Sequence, residues 1–334
     1  MQLIDTPWLA KSVKDVGEAL PPALILHGSK GLGKETLSLA MVQARLCSQP
    51  KGLISPCDSC DECNLFNSGN HPDHRHITQE DVDETKTGEY ANKRTIPPIG
   101  ITSIRKLSEF TSTKPHRGRA KVITINPAER LNLNASNALL KILEEPPSFL
   151  HFILVCQNLE LLIPTIRSRC MKTSVAPPAR AVALEWLVKN TATDTNQVST
   201  NELTLSLCGN APLAAKELIQ DAEFFKIRSE ILDYLRDEQV DSFAVAKRCE
   251  KISAEWMARI FFPLIHDILL ESLDFEGVMY HQDASVELKK IKQKSSNKDF
   301  LIWLDHFVSY LKTSNHPLNR LLALEALFLR WPTA

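Results

Sequence analysis

The chain has 334 residues and a formal net charge of −1, because 39 Lys and Arg residues nearly balance 40 Asp and Glu residues. Hydrophobic residues make up 43% and charged residues 24%, which excludes a collagen-like or a wholly disordered chain. The near-zero charge argues against a protein dedicated to wrapping duplex DNA. No apolar run reaches the roughly 18–20 residues of a membrane-spanning helix, and the first residues lack a basic segment followed by an apolar one. We therefore expect a globular cytoplasmic protein of two or three domains, with no membrane partner.

Short apolar runs that alternate with helical patterns dominate the first half of the chain. Residues 23–27, 121–125 and 151–156 each predict a buried parallel strand. Residues 34–46 and 134–145 carry apolar side chains at helical spacing, and two prolines directly after the second segment end its helix. The alternation predicts a parallel α/β sheet with flanking helices.

Strand signals fade after about residue 172, and adjacent prolines at 177 and 178 mark a boundary. A short helix is predicted next, and nearly every segment after about residue 214 has helical periodicity. We predict an α/β domain over 1–172, a small helical domain over 173–213 and a helical C-terminal domain over 214–334.

Two strongly polar segments interrupt these patterns. Residues 78–98 are acidic at first and show no periodicity, which predicts a flexible loop. A basic run lies further on and comprises Lys289, Lys290, Lys292, Lys294 and Lys298. A solvated face is the favoured interpretation of this run, and a contact with DNA is the alternative.

A glycine-rich turn lies between the first predicted strand and the first long predicted helix, as in a phosphate-binding loop. The candidate cofactor-binding residues are Gly28, Gly31, Gly33 and Lys34. The hydroxyl residue that normally follows the lysine and ligates Mg²⁺ is replaced by Glu35, whose carboxylate would repel phosphate oxygens. The loop therefore predicts either nucleotide binding without efficient hydrolysis or a glycine turn with no ligand.

The segment after the strand at 121–125 tests this interpretation. A hydrolysing enzyme of this type places an aspartate there to hold Mg²⁺, with an acidic neighbour that positions water. Here the strand is followed by Asn126 and Pro127, and Glu129 comes three residues late. Two positions that handle Mg²⁺ are therefore missing, and we predict that the chain does not hydrolyse ATP on its own.

The strongest metal signal is a cluster of four cysteines within 17 residues. The candidate metal ligands are Cys47, Cys57, Cys60 and Cys63. Without an export signal a disulfide framework is disfavoured, and four thiolates form a closed structural zinc site. An iron–sulfur cluster and four free thiols are the alternatives, although the run lacks the closing Cys-Pro of the iron–sulfur pattern. The segment His71-Pro72-Asp73 that follows is interpreted as a turn rather than as a source of ligands.

Residues 137–147 (NALLKILEEPP) and 166–170 (IRSRC) resemble motifs of the clamp-loader branch of the AAA+ family. The order of the motifs, from phosphate loop and cysteine module to these segments, is similar to that in the delta-prime subunits of bacterial DNA polymerase III. The similarity covers roughly the first 215 residues well, and the helical remainder matches only in kind.

This resemblance implies an AAA+ module with a zinc insertion, a small helical lid, and a collar that assembles a five-subunit ring. It implies a stator with no working ATP site, within a DNA-directed DNA polymerase (nucleotidyltransferase) holoenzyme. The implied partners are the motor subunits (tau or gamma), a delta subunit, the beta sliding clamp and primed DNA.

The resemblance also implies a role for the segment Ser168-Arg169-Cys170. Its arginine would enter the ATP site of a neighbouring subunit, where a planar and permanently charged donor stabilises the transferring phosphate. Ser168 and Cys170 would support it. The alternative for Arg169 is an ordinary surface salt bridge.

Several departures from the motor pattern favour the same kind of subunit. Gln157 stands where a motor subunit has its phosphate sensor, and no phosphate-sensing arginine lies near Pro212. Two departures from the delta-prime pattern are an extra residue between Cys47 and Cys57 and the length of the 78–98 loop. The rival functions are a free-standing AAA+ ATPase in DNA remodelling and a zinc-stabilised DNA-binding module with a vestigial phosphate loop.

Overall fold

The chain divides into two compact units, residues 1–178 and 179–334. The computed structural model describes residues 6–14, 16–78, 98–117, 119–191, 197–236, 241–271, 279–293, 295–313 and 319–332. Within these ranges no helix is both long enough and apolar enough to cross a membrane. The loop predicted at 78–98 lies, from 79 to 97, outside the described residues. The predicted boundary between a small and a C-terminal helical domain stays a prediction.

A five-stranded parallel sheet forms the centre of the first unit. Its strands are β1 (Ala23–His27), β2 (His74–Ile77), β3 (Lys121–Ile125), β4 (Leu150–Cys156) and β5 (Met171–Ser174). Their order across the sheet is β2-β3-β4-β1-β5. The inner strands β3 and β4 are buried along their whole length, as apolar runs covered on both faces should be. The predicted parallel sheet is confirmed.

Helices flank this sheet. In chain order they are α1 (Leu9–Val13), α2 (Lys34–Leu46), α3 (Asp61–Asn67), α4 (Ile101–Arg105), α5 (Leu107–Ser112), α6 (Leu133–Glu144) and α7 (Pro164–Arg169). The side chain of Asn132 caps α6 by accepting the backbone N–H of Ala135 at 2.8 Å. Apolar side chains at helical spacing, including Leu139 and Leu143, then bury one face of α6 in the core.

The parallel arrangement gives the sheet two chemically different edges. The carboxyl ends of β1, β3 and β4 lie together, so the phosphate loop, residues 126–129 and Gln157 share one edge. The amino ends lie at the opposite edge. The end of α2 is tied to that edge, because Arg45 donates from Nε to Nε2 of His151 at 3.0 Å, and His151 lies near the start of β4.

The second unit is helical in its described residues. Its helices are α8 (Arg180–Asn190), α9 (Gln197–Leu207), α10 (Pro212–Ile219), α11 (Ala222–Arg236), α12 (Ser242–Cys249), α13 (Ala254–Glu271), α14 (Ser285–Gln293), α15 (Asn297–Thr313) and α16 (Arg320–Phe328). An aromatic cluster fills the core, in which the rings of Trp303 and Phe307 stack at 5.3 Å. Trp303 also donates its indole N–H to the carbonyl oxygen of Leu327 at 3.1 Å, which satisfies its one polar group.

Buried charges tie the segment between α13 and α14 to the rest of this unit. Asp267 on α13 is fully buried and accepts the backbone N–H of His281 at 2.7 Å. Arg228 on α11 binds Asp283 through both terminal nitrogens, at 2.6 and 2.8 Å. Of the basic run noted in the sequence, the lysines at 289, 290 and 292 lie on α14 and Lys298 on α15, whereas residue 294 is outside the described part.

Candidate functional site

The four predicted metal ligands converge at the junction of α2 and α3. Cys47 directly follows α2, Cys60 is the residue before α3, and Cys63 lies in its first turn. All four sulfur atoms lie within 4.8 Å of one another. The Sγ atoms of Cys47 and Cys60 are 3.9 Å apart, as are those of Cys57 and Cys63. Four thiolates at about 2.3 Å from a zinc ion would be separated by about 3.8 Å, so the cluster fits a tetrahedral zinc site.

Hydrogen bonds to the sulfur atoms favour their charged form. The backbone N–H groups of Gln49 and Cys57 each donate to Sγ of Cys47 at 3.3 Å. Backbone N–H groups of Ser59 and Cys60 lower the pKa of Cys57. Burial is the largest of the effects that raise the pKa of Cys63 to about 12. A metal ion would overcome this cost, because metal binding requires and drives loss of the thiol protons.

A polar network anchors the cysteine module to the sheet. Glu62, between two ligands in sequence, accepts from Nε of Arg117 at 2.9 Å and contacts Nε2 of His71 at 3.0 Å. The carboxylate of Asp73, which is fully buried, accepts the N–H groups of His116 and Arg117, both at 2.8 Å. Sequence reasoning missed Glu62 and Arg117, because the interaction joins residues 55 positions apart.

His71 lies outside the metal-binding set. Its Nδ1 accepts the N–H of Asp73 at 3.1 Å, and its Nε2 contacts Glu62. Both ring nitrogens are therefore engaged in holding the turn together. The interpretation of this segment as a turn agrees with these contacts.

The phosphate loop has the backbone shape that its glycines predict. Gly28, Gly31 and Gly33 all have positive φ, at 144°, 78° and 89°. A side chain at Gly28 would collide with the carbonyl oxygen of Val175, so this position requires glycine. The loop follows β1 and ends at Gly33, where α2 begins, as predicted.

The lysine of this loop is engaged within the chain. The ammonium group of Lys34 donates to the carbonyl oxygens of Gly28 at 2.7 Å and of Ser29 at 2.8 Å. Its side chain is buried, and this burial lowers the pKa of Lys34, although the nearby carboxylate of Glu129 acts in the opposite direction. The lysine thus closes the loop on itself.

A carboxylate lies beside the loop, at the carboxyl ends of the strands. Glu129 accepts the backbone N–H of Gln157 at 2.9 Å through Oε1. Its Oε2 is buried and has no hydrogen-bond partner among the described residues. Asn126 follows β3 and is joined to Pro127 by a cis peptide bond. Glu129, which sequence reasoning considered only as a misplaced acid, is the residue that connects the ends of β3 and β4.

The segment 168–170 lies at the end of α7, away from the cysteine module in sequence. Arg169 forms an ion pair with Glu144 through Nη2 at 2.7 Å and donates through Nη1 to the carbonyl oxygen of Thr165 at 3.0 Å. Ser168 donates to the same carbonyl oxygen at 3.0 Å, and Cys170 is buried, which raises its pKa to about 11. Ser168 thus bonds within α7 and Cys170 lies in the core, while Arg169 is partly exposed at the surface.

Comparison with known proteins adds independent information. Residues 9–179, about half of the chain, match the family described as DNA polymerase III, delta subunit. A relative named DNA polymerase III subunit delta' from Pseudomonas aeruginosa is 29% identical over 318 residues, which cover 92% of this chain and 91% of the relative. The protein of that name from Yersinia pestis is 35% identical over 219 residues, which cover 64% of this chain and 59% of the relative.

Among solved structures, a DNA polymerase III, gamma subunit-related protein from Thermotoga maritima is similar over 96% of this chain and 97% of its own. The TM-score is 0.45 and the identity 16%, and so distant a likeness carries no functional argument. The family match and the curated relatives agree with each other. The chain belongs to the family of DNA polymerase III delta subunits.

Proposed function

We propose that this chain is a delta-prime-type stator of a clamp loader, supporting ATP-driven loading of a sliding clamp onto primed DNA during replication. The relatives named subunit delta' support this assignment. The structural observation that carries it is the closed phosphate loop. Lys34, which would contact phosphate in a motor subunit, uses two of its three donors on carbonyl oxygens of its own loop.

The charges around this loop oppose Mg²⁺-ATP in three ways. Two of the three ammonium donors of Lys34 are already bound to its own loop, Glu35 replaces the hydroxyl that ligates the ion, and Glu129 adds a buried carboxylate oxygen at the same edge. The buried oxygen of Glu129 would repel phosphate oxygens with little solvent screening, and the exposed carboxylate of Glu35 would do so more weakly. The chain therefore does not hydrolyse ATP, and any nucleotide it binds is held weakly.

In this proposal the chain contributes to catalysis through Arg169, whose guanidinium acts in the ATP site of a neighbouring motor subunit. Its partner Glu144 is half exposed, and such pairs contribute about 0–1 kcal/mol, so exchanging the carboxylate for a phosphate costs little. A guanidinium offered in this way stabilises the charge on the transferring phosphoryl group, which raises the rate about 10³–10⁵-fold. The short helix α7, supported by Ser168 and Cys170, would present it.

The remaining parts have structural or assembly roles in this proposal. Zinc held by the four cysteines stabilises the module and takes no part in the reaction. Residues 173–213 act as the lid and 214–334 as the collar that joins the motor subunits (tau or gamma) and a delta subunit. The beta clamp and primed DNA are contacted through the whole assembly, in the cytoplasm at the replisome.

The test is the clamp- and DNA-stimulated ATPase of a loader reconstituted with its motor and delta subunits. We compare the unchanged chain, Arg169→Ala, Glu144→Gln and a preparation without the chain. The unchanged chain and Glu144→Gln should support the full rate, because neither lacks the guanidinium. Arg169→Ala should lower the hydrolysis rate at the affected site about 10³–10⁵-fold. The total ATPase rate should fall by less, because the other motor sites keep their own arginines.

Two results would contradict the proposal. An unchanged rate with Arg169→Ala removes the arginine-finger role, and equal losses from Arg169→Ala and Glu144→Gln reduce Arg169 to a structural ion pair. Steady ATP turnover by the isolated chain would favour a free-standing ATPase instead.

A further inference from the structure

A cavity of about 930 Å³ opens at the amino-end edge of the sheet, opposite the phosphate loop. It lies between α1, the last turn of α2, residues 50–55 and the start of β4. Its volume is in the range of small-molecule binding sites. Nothing in the proposed stator role uses this part of the molecule.

The charges that line this cavity are unbalanced. Among the described residues that line it, the basic ones are Lys14, Arg45, Lys51 and Arg119, and the one carboxylate is that of Glu18. Within the described part of the chain, none of these four basic side chains forms an ion pair. Four cations around one concave surface repel each other unless an anion joins them.

Arg45 is held in place by a chain of hydrogen bonds. His151 contacts the carbonyl oxygen of Pro21 through Nδ1 at 3.0 Å, so this nitrogen carries the hydrogen and Nε2 is free to accept. Arg45 donates to that Nε2 from its own Nε at 3.0 Å. Burial lowers the pKa of His151, which keeps the ring neutral and able to accept. Both terminal nitrogens of Arg45 thus remain available as a preoriented fork.

Arg119 is held in a comparable way from the other wall. Its Nη1 donates to the carbonyl oxygen of Cys47 at 2.5 Å and its Nη2 to that of Ser48 at 2.8 Å. These bonds hold the guanidinium against the chain just after α2 and leave its remaining hydrogens for a ligand. Two fixed guanidinium groups therefore border one cavity, with two exposed lysines at its rim.

We propose that this cavity binds a small phosphorylated molecule, whose phosphoryl group is held by the fork of Arg45 and by Arg119. A guanidinium fork suits both carboxylates and phosphates, but the surplus of positive charge favours a group that carries more than one negative charge. The aliphatic walls, among them Val13, Leu20 and Ile54, would contact the rest of the ligand. Among the described residues that line the cavity there is no Phe, Tyr or Trp, and the ring of His151 is already engaged with Pro21 and Arg45, so the broad stacking surface that single-stranded nucleic acid uses is missing there.

The test is calorimetric titration of the full chain with inorganic pyrophosphate, and separately with a short oligothymidylate. Pyrophosphate should bind saturably. Arg45→Gln should weaken this binding by about tenfold to a hundredfold, because it removes charge-assisted hydrogen bonds. Lys51→Gln, at the exposed rim, should weaken it by about twofold to fivefold.

Matched variants separate this site from other phosphate contacts. Lys114→Gln removes an exposed lysine from the same unit but away from the cavity, and should leave the affinity unchanged. Lys34→Met removes the ammonium group of the phosphate loop and reports any pyrophosphate that is bound there rather than in the cavity. Arg45→Lys retains the charge without the fork, and should bind less tightly than the unchanged chain even if Arg45→Gln fails to fold.

Several outcomes would overturn the proposal. These are no saturable binding of pyrophosphate, equal losses with Lys51→Gln and Lys114→Gln, or a loss confined to Lys34→Met. Binding of the oligothymidylate that depends on Arg45, without binding of pyrophosphate, would replace the small molecule by a nucleic acid. None of these results bears on the ATPase test of the stator role, so the two proposals fail separately.

Discussion

The cysteine module and the phosphate loop belong to the same unit, yet they differ in what each retains. In the module, four side chains from separate positions converge within 4.8 Å of one another. In the loop, the glycine backbone has its expected shape, but the lysine is bound to the carbonyl oxygens of its own loop. The four cysteines are close enough to share one metal ion, whereas the lysine of the loop is engaged with its own backbone.

The difference has an energetic basis. Four sulfur atoms within 4.8 Å of one another repel each other when charged, so a bound metal ion would stabilise the module. The ammonium group of Lys34 already has two acceptors. A nucleotide would find one of the three ammonium donors unused, whereas a metal ion would form bonds that the chain alone cannot make. Backbone shape and ligand chemistry are therefore separable properties of a motif.

The largest expected effect is the loss of a metal ligand. Cys63→Ser should abolish zinc binding and lower the free energy of unfolding of the first unit by about 4 kcal/mol, as the loss of a structural metal commonly does. Such a change corresponds to a fall in melting temperature of roughly 8–16 °C. Zinc content by atomic absorption and the thermal transition by circular dichroism measure both effects.

Cys208→Ser is the matched control, because Cys208 is a half-buried thiol in the second unit and outside the cluster. It should retain the zinc. A Cys63→Ser protein with unchanged zinc content and stability would remove the distinction between the module and the loop.

The second prediction concerns pH at the strand beside the module. His74 on β2 donates to or accepts from the hydroxyl of Thr124 at 3.2 Å, and its ring lies 5.3 Å from that of Phe66 in the module. Burial, with a smaller contribution from nearby His76, lowers the pKa of His74 to about 3. The unfolded chain therefore binds a proton between about pH 6.5 and 3 that the folded chain excludes, and stability falls as the pH falls through this range.

At pH 4.5 this effect should cost about 2 kcal/mol relative to pH 7. His74→Gln cannot titrate and should show a smaller loss over the same interval, by urea unfolding at both pH values. Protonation of the cysteine ligands affects both proteins alike, so only the difference between them reports on His74. If the stability of the unchanged chain and that of His74→Gln fell equally between the two pH values, the histidine would be solvated rather than buried.

The third prediction concerns the loop. Lys34→Met removes two charge-assisted hydrogen bonds but also a buried charge, so we expect a net destabilisation of about 1–2 kcal/mol by urea unfolding. The ATPase rate of the reconstituted loader should not change. A loss of ATPase activity with little loss of stability would instead show that the loop holds a functional nucleotide.

The same contrast explains how much of the fold could be predicted from the sequence. The strands β1, β3 and β4 are apolar runs because neighbours cover them on both sides, and they were predicted within one residue. The strands β2 (HRHI) and β5 (MKTS) were missed. Both are outermost strands of the sheet, each paired with a neighbour on one side alone. Polar side chains are tolerated in such strands, and pairing with that neighbour is what defines them.

The sites show a similar limit. The spacing of the cysteines predicted a cluster that the structure assembles, because all four lie within a short segment. The contact of Glu129 with Gln157 and that of Arg119 with Cys47 join positions 28 and 72 residues apart. Periodicity and spacing describe neighbours in sequence, so such long-range contacts leave no local signal to predict them.

The smallest expected effect on stability is also the most informative about Arg169. The pair of Arg169 and Glu144 is partly exposed on both sides, so Arg169→Ala and Glu144→Gln should each change the free energy of unfolding by less than about 1 kcal/mol. Urea unfolding of both single variants and the double variant measures their coupling. A coupling well above about 1 kcal/mol would make the arginine a structural residue, because a strongly held guanidinium could not be released to a neighbour. A weak coupling, together with a large loss of ATPase activity only in Arg169→Ala, leaves catalysis in trans as the explanation, since stability and activity then respond to different partners of the same side chain.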